Sequence, residues 1–395
     1  MTVPARTVVL VLVDGDDGVL GELPPFEVGS PWWPEVEEIV DGARERFGAR
    51  VSVLRLLHAD RAHPHGGLVR YLAQLEQGKP ELVPTSFEPA PHPLRAPFAE
   101  VGGPAASLAW ARGLLEGSAY GTPEEIRQRK TWNLSGLWRL ETAGGTVWLK
   151  HLPPFLRAEH EVLAWIGAVA PGAAPPLIAA DGTGRQLLGH LPGEDGFFAP
   201  AADRLAMADL LHRLQRRALE DVDALAERDV RDRRGELLLE QIVAAAEPWL
   251  GEIFGLDAVV AGLPDRLAAV EDCGLPDTLV HGDFHPGNVR FSASVPPAVL
   301  DWGDAFLGNP AFDLIRLGEG LEPGDAGPLI ERWSALWKQV APGSDPARAV
   351  ELLRPVAPLL GAAVYANFVH NIEPSEWPYH ADDVPTCLKT AVELA

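Results

Sequence analysis

A chain of 395 residues, 47% of them hydrophobic, has room for two or three domains with cores of their own. Its formal net charge of −23 excludes nonspecific binding to nucleic acid or to anionic membranes. Two cysteines, Cys273 and Cys387, are too few for a disulfide framework or a cysteine-ligated metal. No apolar stretch is long enough to span a bilayer, and the start has no small-residue cleavage site, so a cytoplasmic protein is expected.

The first element is an apolar strand, Val8 to Val13, followed by the acidic turn Asp14-Gly15-Asp16-Asp17-Gly18 and a second strand over Val19 to Leu23. A helix follows from Pro34 to Phe47, with Pro in its first turn and Gly48 after its end. Strands Arg50 to Leu57 and Leu68 to Leu75 complete a β-β-α-β-β order. This order resembles a Nudix-type domain, but that family's catalytic signature is missing. Counting back from Gly48, the positions for its adjacent glutamates hold Arg44 and Glu45, and those for its Arg-Glu pair hold Asp41 and Gly42. Residues 1–118 are therefore expected to be a non-catalytic module that cannot assemble a metal cluster. Glu37, Glu38 and Glu45 are expected on a solvated helix face.

A Pro-rich linker runs from Val83 through Pro104 and enters a helix at Ala105 to Leu115. The segment Lys130-Thr-Trp-Asn133-Leu-Ser135-Gly136 has one glycine. Thr146 to Lys150 is a short alternating strand after the turn Ala143-Gly144-Gly145. The sequence is sparing with lysine, having only Lys79, Lys130, Lys150, Lys338 and Lys389, so Lys150 at a strand end suggests a need for a compact ammonium. A helix over Phe155 to Ile166 carries Glu159 in phase with Leu163 and Ile166, while Glu161 falls on another face. An apolar strand from Gln186 to Gly189 then stops at His190-Leu191-Pro192-Gly193.

The rest is mostly helical. Leu205 to Glu227 has strong helical periodicity, and His212 in it reads as a packing residue. The most informative stretch is His281-Gly-Asp283-Phe-His285-Pro-Gly-Asn288, followed by an apolar strand that ends at Asp301-Trp302. Phosphoryl transfer by a kinase needs one Asp to orient and deprotonate the acceptor hydroxyl. It also needs an Asn and a second Asp to hold Mg²⁺ on the nucleotide phosphates. Each residue alone is ordinary turn chemistry; their conjunction is not.

With Gly308-Asn309-Pro310-Ala-Phe-Asp313-Leu314, these residues resemble the aminoglycoside phosphotransferase family of small-molecule kinases, over roughly the last 270 residues. The resemblance implies an α+β, protein-kinase-like bilobal fold: a small β-rich lobe over 119–192 and a large helical lobe over 193–395, added to the N-terminal α/β module. It implies Asp283 as catalytic base, Asn288 and Asp301 as Mg²⁺ ligands, and His281, His285 and Asp313 as supports of the catalytic loop. Lys150 would contact the α- and β-phosphates and pair with Glu159, or failing that Glu161. Asn133, Ser135 and Gly136 would form a loose phosphate-covering loop, and the hinge at His190 and Leu191 would meet the nucleobase through main-chain groups. ATP is the expected nucleotide, with GTP the alternative.

Between two C-terminal helices, Glu373, Glu376, Trp377, Tyr379 and Asp383 combine acids and aromatics. They are read as a lip that binds a hydroxylated, amine-bearing acceptor through charge-assisted hydrogen bonds. The expected function is phosphorylation of a hydroxyl on a small molecule such as an aminoglycoside or other antibiotic, a sugar or an amino alcohol. The competing reading is a catalytically idle nucleotide-binding or regulatory module on the same scaffold.

Overall fold

The structure, a computed structural model, describes residues 5–61, 64–197, 199–292 and 294–395. Two compact units divide the chain. The first comprises Met1–Arg157, Ile178–His190 and Asn367–Asp382; the second comprises Ala158–Leu177, Leu191–Ala366 and Asp383–Ala395.

In the first unit, strands β1 (Arg6–Val13), β2 (Val19–Glu22), β3 (Phe26–Val28), β4 (Arg50–Ala59) and β5 (Gly67–Gln77) form one sheet. β1 pairs antiparallel with β2 and β3 and parallel with β5, which pairs antiparallel with β4. The three-residue β3 is too short to give a periodicity signal. Alternation along β1 sends Val8, Leu10 and Leu12 toward Ile39 and Ala43 of helix α1 (Glu37–Phe47), while Val11 and Val13 pack on the opposite face. Gly48 closes α1 at φ +64°, a left-handed conformation that suits glycine. Arg6 is fully buried, and its guanidinium donates to the carbonyls of Trp32, Trp33 and Glu35, which satisfy a cation water cannot reach.

Glu38 is exposed, as expected, and Glu37 is half-buried; both also make surface contacts. Glu37 pairs with Arg127 and Arg129, and Glu38 accepts the backbone N–H groups of Gly29 and Ser30. Glu45 is exposed, as expected.

The second sheet of this unit has the order β6-β7-β8-β10-β9. Its strands are β6 (Glu125–Trp132), β7 (Ser135–Thr142), β8 (Gly145–His151), β9 (Leu177–Ala180) and β10 (Arg185–Gly189). Trp138, Leu140, Val147, Leu149 and Leu187 bury against Ala111 and Leu115 of α2 (Gly103–Leu115) and against Phe98. Strands from both sides of residue 118 thus share one unit. The buried Gln128 side chain on β6 takes the Val53 N–H (3.0 Å) and donates to the Val53 carbonyl (2.7 Å), acting as a strand neighbour for β4. Val36 N–H donates to Arg129, and Thr131 N–H donates to Pro34.

The second unit carries α3 (Glu159–Val169), β11 (Glu194–Asp195), α4 (Ala201–Ala218), α5 (Val222–Ala226), β12 (Arg231–Asp232) and α6 (Glu236–Ala246). Helices α7 (Leu256–Ala261) and α8 (Leu263–Glu271) follow, then strands β13 (Thr278–Val280), β14 (Val289–Phe291), β15 (Ala298–Val299) and β16 (Phe306–Gly308). Helices α9 (Ala311–Gly318), α10 (Pro323–Val340), α11 (Pro346–Leu353), α12 (Val356–His370) and α13 (Asp383–Leu394) complete the chain. Helix α3 starts later than expected because Pro153 and Pro154 direct a 3₁₀ turn over Pro154–Leu156. The helix expected over Leu205 to Glu227 is divided into α4 and α5. His212 packs edge-on to Trp337 with ring centroids 4.9 Å apart, and burial lowers its pKa to about 4. Two small sheets, β11-β14-β15 and β12-β16-β13, carry the functional loops.

Candidate active site

Strand β13 ends at Val280, and after His281 the chain turns through Gly282, at φ +87°. A Cβ there would lie 2.3 Å from the Asp304 carbonyl oxygen, so only glycine fits. The turn hangs on Asp313, in the first turn of α9. The Asp313 carboxylate accepts the N–H groups of His281 (2.8 Å) and Gly282 (3.0 Å) and the Gln215 amide (2.9 Å). Burial pushes Asp313 up to about 7, against the pull of these donors. Burial also lowers the pKa of His281. The ring fits a neutral tautomer: Nε2–H donates to the Leu300 carbonyl (2.8 Å) and Nδ1 accepts the Asp283 N–H (3.2 Å).

The Asp283 carboxylate has two unequal oxygens. Oδ1 accepts Arg316 Nε at 2.8 Å, whereas Oδ2 lies 3.5 Å from His285 Nε2 and 3.4 Å from Asn288 Nδ2. Burial pushes this carboxyl up, but His285 and Arg316 outweigh it and hold the group at about 2. The Asn288 amide also donates to the Asp283 carbonyl at 3.0 Å. Asn288 immediately precedes β14, and Asp301 lies just beyond β15. These strands pair Val289 with Val299, and Leu300 N–H donates to the Asn288 carbonyl at 2.8 Å. Asn288 and Asp301 therefore sit at one end of the same hairpin. Asp301 is exposed and adopts φ 58°, ψ 65°, an uncommon conformation for a residue with a side chain.

Behind Asp301 the backbone is held twice. Trp302 N–H donates to buried Glu159 (3.0 Å), and Arg231 donates to the Gly303 carbonyl (2.9 Å). Burial pushes Asp304 up to about 6; Arg231 pulls it down, while Asp283 and Asp301 push it further up. Two carboxylates thus act on the third here.

The donor set fits a hard divalent cation. With the Asn288 NH₂ turned to Asp283, its Oδ1 would serve as a neutral oxygen donor, and Asp301, at the same end of the hairpin, would supply a carboxylate. Magnesium is commonly held by one or two such groups plus phosphates and water. Among the described residues, no three His, Cys, Asp or Glu side chains form a metal-holding group by themselves.

Lys150 occupies β8, the middle strand of its sheet, opposite Leu137 and Gln186, and belongs to the first unit; Glu159 belongs to the second. The division between units falls at His190 and Leu191. His190 is exposed, with its ring nitrogen accepting the Trp148 indole N–H at 3.2 Å.

The loop expected over the phosphates has a different form. Asn133 and Leu134 are the two residues of a tight β6–β7 hairpin in which Trp132 pairs with Ser135. Asn133, Ser135 and Gly136 are all buried, and Ser135 Oγ accepts the Trp132 indole N–H. A Cβ on Gly136 would strike the Trp138 ring at 2.5 Å. Packing under aromatic side chains, rather than an open glycine-rich flap, explains the residue choice.

The expected acceptor lip separates into two parts. Glu373 is 5% exposed and accepts two hydrogen bonds from Arg95, both at 3.0 Å, with Arg55 Nε at 3.4 Å. Glu376 is buried, and Tyr379 lies in the core of the N-terminal sheet with its ring edge-on to Trp33 and Trp132. These three residues anchor the segment Asn367–Asp382 within the first unit instead of lining a solvated lip. Trp377 is 44% exposed and donates to the Val369 carbonyl. Asp383 belongs to the second unit. Tyr365 of α12, whose hydroxyl is raised first by burial, is in electrostatic reach of Asp383, Cys387, Asp283 and Arg316.

Arg316, Arg231 and Tyr365 were not expected from the sequence. Arg316 alone had a usable signal: it lies three residues after Asp313, on the same helix face.

A helical unit with a catalytic-type loop hung on a buried Asp, an Asn–Asp pair on a hairpin, and a separate five-stranded sheet bearing Lys150 defines the kinase-like phosphotransferase class. The phosphotransferase enzyme family, APH, matches residues 133–350, more than half of the chain. The chain belongs to that family and is a small-molecule kinase, a phosphotransferase with an alcohol group as acceptor.

Solved structures with a similar fold include macrolide 2'-phosphotransferase MphH from Brachybacterium faecium, at 17% identity and TM-score 0.50, covering 69% of this chain and 97% of that one. The APH(2")-IIa enzyme, solved with gentamicin, is 12% identical with TM-score 0.53, covering 73% and 96%. The ADP-bound aminoglycoside phosphotransferase APH(2'')-Ib is 13% identical with TM-score 0.51, covering 73% and 98%. At these identities the likeness is one of fold. No curated protein matches the sequence. Among the described residues, no single helix is long and apolar enough to cross a membrane.

Proposed function

We propose that this chain transfers the γ-phosphoryl group of ATP, with GTP as the alternative donor, to a hydroxyl of a small molecule. Asp283 is the proposed base, and Asn288 and Asp301 the proposed ligands of Mg²⁺. The supporting observation is the single hydrogen-bonded framework that carries all three. The Asn288 amide donates to the Asp283 carbonyl, and the Asn288 carbonyl accepts the N–H of Leu300, the residue before Asp301. Bound magnesium would neutralise phosphate charge. The acceptor oxygen forms the new bond to the γ-phosphorus, the bond to the bridging oxygen breaks with its electron pair leaving on the nucleoside diphosphate, and the hydroxyl proton passes to Asp283. Positioning and electrostatics supply most of the rate in such a transfer.

Lys150 is the proposed contact to the α- and β-phosphates. On the acceptor side, Asp383 and Tyr365 take the place of the buried Glu373, Glu376 and Tyr379. An aminoglycoside or other antibiotic, a sugar or an amino alcohol fits this chemistry, since a carboxylate favours an ammonium-bearing acceptor. The fold itself does not choose among them. Residues 1–118 are proposed to be non-catalytic, and the cytoplasm, where ATP and magnesium are plentiful, is the proposed compartment.

The test is Asp283→Asn in the full chain. Mg·ATP and a panel of gentamicin, erythromycin, choline and glucose are supplied, and product masses are read directly. Turnover should fall by roughly 10²–10⁴-fold while the thermal shift given by Mg·ATP persists. Near-normal turnover in the variant would overturn the assignment. The closed, buried β6–β7 hairpin is the one observation that favours an idle nucleotide-binding module. A wild type that shifts with Mg·ATP yet phosphorylates no acceptor and releases no ADP would establish that second reading.

A further inference from the structure

Arg316 lies on α9, one turn after Asp313, and bridges two carboxylates. Its Nε donates to Asp283 Oδ1 at 2.8 Å, and its Nη1 donates to Glu319. The residue is held from behind: Arg204 of α4 donates to the carbonyls of Leu317 (2.6 Å) and Glu319 (2.7 Å), capping the end of α9. Glu319 orients the guanidinium, and Arg204 fixes the turn that carries both residues.

The consequence for Asp283 is an asymmetry. A charge-assisted bond at 2.8 Å is strong, whereas contacts at 3.4 and 3.5 Å are at or beyond the limit of a useful hydrogen bond. Oδ1 is committed and Oδ2 is only loosely engaged. Asp283 and Asp301 both act electrostatically on the buried Asp304, so negative charge gathers here, and a nucleotide would add more. A fixed cation at Asp283 offsets that repulsion without occupying Oδ2.

We propose that Arg316 is a positioning residue of the phosphoryl-transfer site: it holds Asp283 by Oδ1, so that Oδ2 is the oxygen presented to the acceptor hydroxyl. This rests on the reading of Asp283 as the base. Glu319 and Arg204 act through Arg316 and touch no reacting atom.

Rates of ADP release from Mg·ATP are measured over the same acceptor panel with water as baseline, and the acceptor with the highest wild-type turnover is used for all variants. Arg316→Ala should lower kcat by roughly 10–100-fold, a loss of orientation, with the KM for Mg·ATP within about twofold of wild type. Arg316→Lys should recover part of that kcat. Millimolar guanidinium should restore part of the Ala variant's rate, and methylammonium should restore less, because the planar fork matters as well as the charge. Arg332→Gln, which removes an exposed Arg–Asp pair between α10 and α4, should behave as wild type.

In Asp283→Asn/Arg316→Ala the losses should not add, since both act on one oxygen. Normal kcat in Arg316→Ala, or a loss that neither Lys nor guanidinium relieves, overturns the inference. If Arg316→Ala does not fold, Arg316→Lys and Arg316→Gln decide it: equal kcat in the two discards the oriented cation. Active Asp283→Asn overturns the base assignment and this inference together; inactive Asp283→Asn with normal Arg316→Ala overturns the inference alone.

Discussion

Glu159 Oε1 accepts the backbone N–H of Trp302 at 3.0 Å, across 143 residues of sequence. The bond holds the backbone next to Asp301, whose φ is +58°. Glu159→Ala leaves the Trp302 N–H buried and unpaired, which costs about 1–3 kcal/mol. Glu159→Gln keeps the acceptor and should retain most of the stability in urea denaturation. Equal loss in both variants would show that the negative charge, and not the accepted hydrogen bond, stabilises this segment.

Glu373 stands between two guanidinium groups, with Arg55 and Glu373 both nearly excluded from water. Removing one partner of a buried ionic cluster leaves uncompensated charge and costs about 3–5 kcal/mol. Glu373→Ala should therefore lower the thermal midpoint sharply. The KM for the acceptor in the folded fraction should be unchanged; a raised acceptor KM at unchanged stability would return Glu373 to the acceptor site.

Burial, reinforced by Glu373, pushes Glu376 up to about 8. Its folded value therefore lies above the ordinary carboxyl value, and the folded chain binds the extra proton. The stabilisation is complete below about pH 4.5 and is lost as pH rises through 8. Glu376→Gln mimics the protonated acid. Its thermal midpoint should be less pH-dependent between 5 and 9 than that of wild type, and higher than wild type at pH 9; parallel curves would refute this.

Tyr379 is buried between Trp33 and Trp132, and among the described residues its hydroxyl has no hydrogen-bond partner. The ring matters more than the hydroxyl. Tyr379→Phe should match or exceed wild-type stability, while Tyr379→Ala should cost about 3–5 kcal/mol through the cavity it leaves. Tryptophan fluorescence during thermal unfolding distinguishes the two, and a large loss in the Phe variant would point to a partner for the hydroxyl.

How much was legible in the sequence depended on how local each feature is. The loop from His281 to Asn288 is a short backbone turn, and its glycine and spacing are local facts, as is the alternation that puts β1 against α1. The apolar run ending at Asp301 implied a strand, and the structure pairs β15 with β14 so that Asn288 and Asp301 end one hairpin. Glu373, Glu376 and Tyr379 looked like a polar lip because composition reveals polarity and says nothing of burial. Their arginine and tryptophan partners lie hundreds of residues upstream, beyond any periodicity. The burial of Asn133, Ser135 and Gly136 was not legible for the same reason, since Trp138 packs against Gly136.

The sequence by itself determined the identity and order of the reactive groups, because hydrogen-bonding turns and strand alternation are set by neighbours a few residues away. Only the tertiary structure decided which oxygen of Asp283 is held, which acids are buried, and that Arg316 meets the loop. Those properties depend on desolvation and on contacts made when distant segments pack.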